Sequence, residues 1–176
     1  RDLGRCPVGA PRAEFCKRRI RGEPELDARL KPKHLDPAEL DTPALALANA
    51  ARETLRMGDA MEMMMVDLKK VMHGEPRQEK ILRKTADDIN VLYTAIKLYL
   101  ARMPKEALAD EESRRWAEII EMSLNLEQAS DIVERMGSEI ADKSLSARRA
   151  FSLAGINELD GLLDQLLSNL QLAMSV

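Results

Sequence analysis

The chain has 176 residues and a net charge of −3; hydrophobic residues make up 45% of it, charged residues 32% and aromatic residues 3%. This length suits one domain with its own core. The small net charge gives no reason to expect nucleic acid as a partner, and no apolar run of roughly 18 residues or more is present to cross a bilayer. The first residue is not Met and no secretory signal follows it, which is compatible with a fragment of a longer protein.

Residues 1–41 are predicted to form a basic, proline-rich arm or linker, because five of the eight prolines lie there. Two readings of its basic cluster remain open: contact with anionic lipid heads or an acidic partner, or a solvated charged segment. Cys6 and Cys16 show no zinc or redox spacing, so reduced thiols are expected. The basic cluster consists of Lys17, Arg18, Arg19 and Arg21.

The first predicted helix begins at Pro43, with Thr42 as its N-cap, and ends before Gly74 and Pro76. Apolar and small residues recur along it at alternating spacings of four and three, which is typical of a helix packed against near-parallel neighbours. This seam consists of Leu47, Ala51, Thr54, Gly58, Met61, Met65, Leu68 and Met72.

Two more helices with the same rhythm follow. The second runs from about Arg77 to Arg102 and is ended by Pro104, and the third runs from Asp110 to about Asp142. The seam of the second consists of Leu82, Thr85, Ile89, Leu92, Ile96, Tyr99 and Met103. The seam of the third consists of Trp116, Ile119, Ser123, Leu126, Ser130, Val133, Gly137 and Ile140.

The fourth predicted helix follows Ser152 as its N-cap and has Gly155 at its third position. Because short connections force consecutive helices to pack side by side, we predict an all-α, elongated antiparallel bundle over residues 42–176. The apolar face of this last helix consists of Ile156, Leu159, Leu163, Leu166, Leu170 and Ala173.

Acidic side chains recur along one stripe of the third helix, in LNLEQASDIVERM. Glu127 and Asp131 are one turn apart, and Glu134 extends the stripe. Like charges at this spacing repel unless a cation lies between them. Since apolar residues precede them on the same stripe, we expect these acids at a boundary between two helices.

The second helix offers Asp87 and Asp88, in TADDIN, to complete a site. Oxygen ligands from two facing helices are how helical bundles hold hard cations. One hypothesis is therefore a metal site formed by these two residues with Glu127, Asp131 and Glu134. The alternative is a solvated or salt-bridged face, with Lys84 or Arg135 pairing with the acids.

Other kinds of chemistry find no support. Neither His34 nor His73 has a second His at the spacing of a zinc hydrolase, and no phosphate-binding glycine loop or nucleophile elbow is present. We expect the chain not to be an enzyme. Clustered methionines at helical spacing indicate core packing rather than a soft-metal site; they are Met61, Met63, Met64, Met65 and Met72.

Two segments echo one another. RMGDAMEMM (56–64) and QASDIVERM (128–136) align Asp59 with Asp131 and Glu62 with Glu134. A repeat-built origin and chance similarity between amphipathic helices both explain the echo.

Four segments in order carry a family resemblance: PALALANAARETLRMGDAMEMMM, ADDINVLYTAIKLYLARM, NLEQASDIVERM and FSLAGINELDGLLDQLLSNLQLAM. Over about residues 36–176 they resemble the PhoU-like cytoplasmic domain of the bacterial sodium/phosphate cotransporter family. The resemblance implies a PhoU-like three-helix repeat plus a fourth helix, placed on the cytoplasmic side of the bacterial inner membrane. Its expected partner is the membrane transporter portion of a parent protein, and its expected role is in phosphate transport or its regulation.

The resemblance also implies binding of a divalent or trivalent metal ion by acidic motifs. Glu127 and Asp131 match the ExxxD motif of the third helix and Asp87 matches the acidic position of the second, whereas Asn90 stands where another acid is expected. Since the pattern stops after the first helix of a second repeat, the fourth helix must pack on the other three or borrow a partner chain, as in a homo-oligomer.

Two functions remain open at this point. The first is a regulatory, non-enzymatic domain tied to phosphate uptake by a sodium-dependent transporter. The second is a structural or dimerisation bundle without a metal site, in which the charged stripes only keep the protein soluble.

Overall fold

The computed structural model describes residues 31–75, 77–104, 108–147 and 151–175. The basic cluster of residues 17–21 and both cysteines lie outside these ranges.

Four α-helices and one short 3₁₀ helix make up the described part of the chain. No strand occurs in these ranges, so the predicted all-α class is confirmed. The 3₁₀ helix is Pro37–Glu39, and the α-helices are α1 (Pro43–Met72), α2 (Gln78–Ala101), α3 (Asp110–Ala147) and α4 (Leu153–Met174).

Local signals at the helix ends are largely confirmed. The Ser152 hydroxyl caps α4 by accepting a hydrogen bond from the backbone N–H of Gly155 at 3.1 Å. Gly74 follows α1 with a φ of +95°, the left-handed conformation that favours glycine. Thr42 precedes α1 in an extended conformation, but its side chain makes no capping hydrogen bond.

The predicted end of the third helix near Asp142 is wrong, because α3 continues to Ala147. No Gly or Pro lies between Gly137 and Gly155. The chain therefore has no residue there that strongly opposes another helical turn.

The first three helices form the core, and each of them packs against the other two. The predicted seam of α1 is buried apart from Ala51, which is half-buried. Four of the five clustered methionines are buried and Met63 is exposed, as expected of core packing. The largest fully buried apolar side chains are Leu47, Met57, Met64, Leu68, Leu82, Ile89, Ile96 and Leu100.

Helices α2 and α3 run antiparallel. Near one end the Trp116 indole N–H donates to the Leu100 carbonyl at 3.2 Å, and towards the other end the Ser138 hydroxyl donates to Glu79 Oε1 at 3.2 Å. This register places residues 87 and 88 level with the turn of α3 between residues 127 and 131.

Helix α4 runs antiparallel along α1, which is its main neighbour. His73 Nε2 lies 2.8 Å from Asp160 Oδ2, and the Gln171 amide donates to Glu62 at 3.2 Å. Among the residues of α4, all of which are described, Leu163 alone is buried. The predicted burial of Leu166 and Ala173 is wrong, since α1 covers only one side of the helix and both residues are exposed.

Candidate functional site

Two charged clusters stand out on the bundle. The first is the α2–α3 acid group, defined as Asp87 and Asp88 of α2 with Glu127, Asp131 and Glu134 of α3. The second is the Glu53 clamp, defined as Glu53 and Arg56 of α1 with the backbone of residues 31–34.

The antiparallel register brings most of the acid group to one level of the bundle. Glu127 and Asp88 are half-buried, whereas Asp131 and Asp87 are exposed. Asp88 has an interaction partner, as has the neighbouring Lys84. The acids of α2 and α3 therefore share a height along the bundle, with one half-buried and one exposed carboxylate on each helix.

Glu134 is engaged with a base. The Arg83 Nε lies 3.4 Å from Glu134 Oε1, and the same guanidinium reaches Glu79 at 2.6 Å through its NH2 group. The Ser138 hydroxyl, whose proton the nearer Glu79 accepts, also lies 3.4 Å from Glu134 Oε1. At Glu134 the structure shows a salt-bridged arrangement, in which Arg83 is a partner.

In the described ranges no three His, Cys, Asp or Glu side chains come together in an arrangement that could hold a metal ion. Cation binding by the acid group stays a prediction of the residue pattern and of the resemblance.

Sequence reasoning missed the Glu53 clamp. Glu53 is fully buried at 0% exposure. Its carboxylate accepts from the backbone N–H of His34 at 2.7 Å and of Lys33 at 2.5 Å, and it pairs with Arg56 at 2.6 Å. Arg56 also donates to the Lys31 carbonyl at 3.3 Å. A buried carboxylate stays tolerable only with such partners, so the clamp ties residues 31–34 to α1.

Further contacts attach the rest of this segment to the bundle. The Tyr99 hydroxyl donates to the Asp36 carbonyl at 3.1 Å, and the Asn49 amide donates to Glu39. Burial, followed by the charge of Glu39, raises the pKa of Tyr99 above its ordinary value of 10.0. The described part of the predicted arm is therefore attached at residues 31–41.

A signal for the clamp was present in the sequence. Glu53 lies at helical spacing within a second stripe of α1 whose other members are apolar: Ala46, Ala50, Met57 and Met64. A charged residue in such a stripe indicates either a solvated edge or a buried charge with dedicated partners. Only the fold shows that Glu53 is buried, with Arg56 and the backbone of residues 33 and 34 as its partners.

The fold and these clusters define an all-α bundle domain with a tightly attached preceding segment. In comparisons with known proteins, no family model and no solved structure matches the chain.

Curated relatives match along the whole chain. The chain is 79% identical over 179 aligned positions to "Putative inorganic phosphate export protein YjbB" of Escherichia coli K12. The match covers 99% of the chain and 33% of the relative. The protein of that name from Escherichia coli O157:H7 is 79% identical, over 100% of the chain and 32% of the relative. The one from Salmonella typhimurium LT2 is 78% identical, over 99% of the chain and 33% of the relative. The chain thus spans about a third of the length of the curated relatives that it matches.

Proposed function

We propose that the chain is a regulatory, non-enzymatic, PhoU-like domain of an inorganic phosphate transport protein. The observation that carries the proposal is the 79% identity, over 99% of the chain, to a relative named for inorganic phosphate export. At this identity the two chains are expected to share one fold. The name of the relatives favours export over the uptake that the family resemblance implies.

The proposed partner is the membrane portion of a longer protein, with this domain on the cytoplasmic side of the bacterial inner membrane. The relatives are about three times as long as the chain, which leaves ample length for a membrane part. None of the described helices combines the length and the apolar character needed to span a bilayer. In this proposal the domain acts on transport carried out elsewhere, and sodium dependence belongs to that membrane part.

The Glu53 clamp supports a coupling role. It joins the segment that precedes the bundle to the most buried helix, so a displacement of α1 is transmitted to the backbone of residues 31–34. This arrangement suits a domain that passes a conformational signal along its own chain.

A test of the regulatory role uses the Escherichia coli K12 relative as host. Its matching third is either replaced by this chain or deleted, and phosphate efflux is followed with radiolabelled phosphate in cells at low and high phosphate supply. We expect the chimera to transport as the host does, and the deletion to transport without responding to phosphate supply.

Two results would overturn the proposal: a chimera without transport in a host that is active, or a deletion that responds to phosphate supply as the intact host does. Repeating the measurement with sodium replaced by potassium tests the sodium dependence separately.

We further propose that the α2–α3 acid group binds a divalent or trivalent cation, supported by the shared level of Asp87, Asp88, Glu127 and Asp131. Bound metal is measured by mass spectrometry, together with the melting temperature, for the native chain and for Glu127→Ala with Asp131→Ala. A bound ion raises stability by mass action, so the double variant should lose both metal and its metal-dependent stabilisation.

The matched control removes two exposed acids of the same helix, by Glu118→Ala with Glu121→Ala, and should keep the metal. Equal metal content and equal melting in the two double variants would rule out the cation site and leave the transport role untouched.

A further inference from the structure

An apolar groove runs between α1, α3 and α4. Its volume is about 290 Å³. Met65, Leu68, Val133 and Leu163 line it and are themselves buried. The groove exists because α4 leans on α1 and leaves a gap towards α3.

The two rims of the groove are apolar and open to solvent. On α3, Ile132 is 56% exposed and Met136 is also exposed; on α4, Leu166 is 55% exposed, and Leu162 one turn earlier is exposed as well. Single exposed apolar residues are ordinary, but a continuous strip of them beside an apolar groove marks an interaction surface. We call this strip the α3–α4 face.

We propose that the α3–α4 face is the interface with a second copy of this chain. Helices α3 and α4 run in opposite directions, because α4 is antiparallel to α1 while α1 and α3 are both antiparallel to α2. A two-fold axis parallel to the helices then lays α3 of each copy against α4 of the other, again antiparallel. The result is a closed four-helix layer in which each face covers the other.

The size of the face suits such a dimer. Helix α4 has 22 residues, and at about 1.5 Å per residue it is about 33 Å long. Two neighbouring helices, each about 10 Å across, give a face of roughly 660 Å² per copy. The total of about 1,300 Å² lies within the range of specific interfaces.

The acids of α4 do not oppose this interface. Helix α4 contains Glu158, Asp160 and Asp164 and no Lys or Arg. Asp160 and Asp164 contact α1, where they pair with His73 and Lys69. The side of α4 that borders the groove therefore presents leucines, which suit burial against a second copy.

The first test measures the mass of the chain by sedimentation between about 1 µM and about 100 µM. We expect the native chain to be dimeric at the upper end, and Leu166→Glu to weaken association by about 100-fold or more, because it buries an unpaired charge in the interface. The control is Leu172→Glu on the same helix, a site that is 67% exposed and does not line the groove. The Leu172→Glu variant should form a dimer at the same concentrations as the native chain.

Since Leu166 is solvent-exposed in the single chain, its variant should keep the native circular dichroism and melting curve under conditions in which the chains are monomeric. A native chain that stays monomeric at about 100 µM overturns the proposal and assigns the face to an apolar ligand or to another part of a longer protein. So does a Leu166→Glu variant that is folded and still dimeric.

The second test probes the axis by cross-linking. In a background of Cys6→Ser with Cys16→Ser, chains carrying Met136→Cys are mixed with chains carrying Leu166→Cys and treated with a short bismaleimide. The proposed axis predicts more covalent dimer in the mixture than in either variant alone. Dimer that forms equally well in the separate samples overturns the proposed pairing of α3 with α4.

Discussion

Helices α1 and α4 share an amphipathic pattern and have very different surroundings. Both have an apolar seam at helical spacing, built mainly from Ala, Leu and Met on α1 and mainly from Leu on α4. Yet fifteen residues of α1 are buried. On α4, which is described along its whole length, Leu163 is the only buried residue. The difference arises because α1 has neighbours on three sides, α2, α3 and α4, and α4 has its main neighbour on one. The spacing of apolar residues indicates which side of a helix can be buried. The number of neighbouring helices decides how much of that side is buried.

Among substitutions that compare α1 with α4, the largest loss of stability is expected at the Glu53 clamp. Glu53→Ala removes the ion pair with Arg56 and takes the carboxylate acceptor from two backbone N–H groups, so the free energy of unfolding should fall by about 3 kcal/mol or more. Urea denaturation measures the loss. The matched change on α4 is Asp164→Ala, which removes an exposed ion pair with Lys69 and should cost at most about 1 kcal/mol. Equal losses would show that the clamp does not stabilise the bundle.

Truncation of a leucine on each helix comes next in expected size. Leu68 of α1 is fully buried, so Leu68→Ala should cost about 2–5 kcal/mol through lost contacts and a cavity. Leu172→Ala on α4 removes a side chain that is largely in water and should change stability by less than about 0.5 kcal/mol. Thermal unfolding of both variants checks the pair, and a cost for Leu172→Ala close to that for Leu68→Ala would contradict the placement of α4.

The same substitution at two glycines sharpens the contrast. A Cβ at Gly137 would meet Leu82 Cδ1, which belongs to the core, whereas a Cβ at Gly58 would meet the end of the Met174 side chain on α4 at 2.5 Å. Gly137→Ala should therefore cost about 1–3 kcal/mol through overpacking. Gly58→Ala should be neutral, or stabilising by up to about 1 kcal/mol, because the flexible methionine can move and alanine favours the helix.

Melting temperatures of the two alanine variants give the answer. A larger loss at Gly58 than at Gly137 would mean that α4 is held as rigidly as the core.

The smallest expected effect concerns the attachment of residues 31–41 by Tyr99. Burial raises the pKa of Tyr99, so the stability it contributes is complete below its ordinary pKa and is lost as the pH rises through the raised value. Deprotonation also removes the hydrogen bond to the Asp36 carbonyl. Tyr99→Phe should lower stability by about 1 kcal/mol at neutral pH.

The same variant should flatten the decline in stability as the pH rises above about 10. Chemical denaturation at a series of pH values measures this. A decline as steep in the variant as in the native chain would show that another group is responsible.

The predictions that succeeded rest on short-range signals. Ser152, Gly74 and Pro104 act on the residues within one helical turn of them, so the ends they mark could be located from the sequence. The end of α3 could not, because no such residue lies between Gly137 and Gly155. The acid group shows the same limit: the spacing of Glu127 and Asp131 predicted a shared stripe, but the contact of Glu134 with Arg83 depends on the register between α2 and α3.

By itself, the sequence determined that the chain forms four long helices and which side of each is apolar, because helix formation depends on residues one turn apart. The tertiary structure alone decided that Glu53 is buried with partners from residues 31–34, and that much of the apolar side of α4 is left open beside α3. Both outcomes depend on which helices become neighbours, and that is set by the packing of the whole bundle.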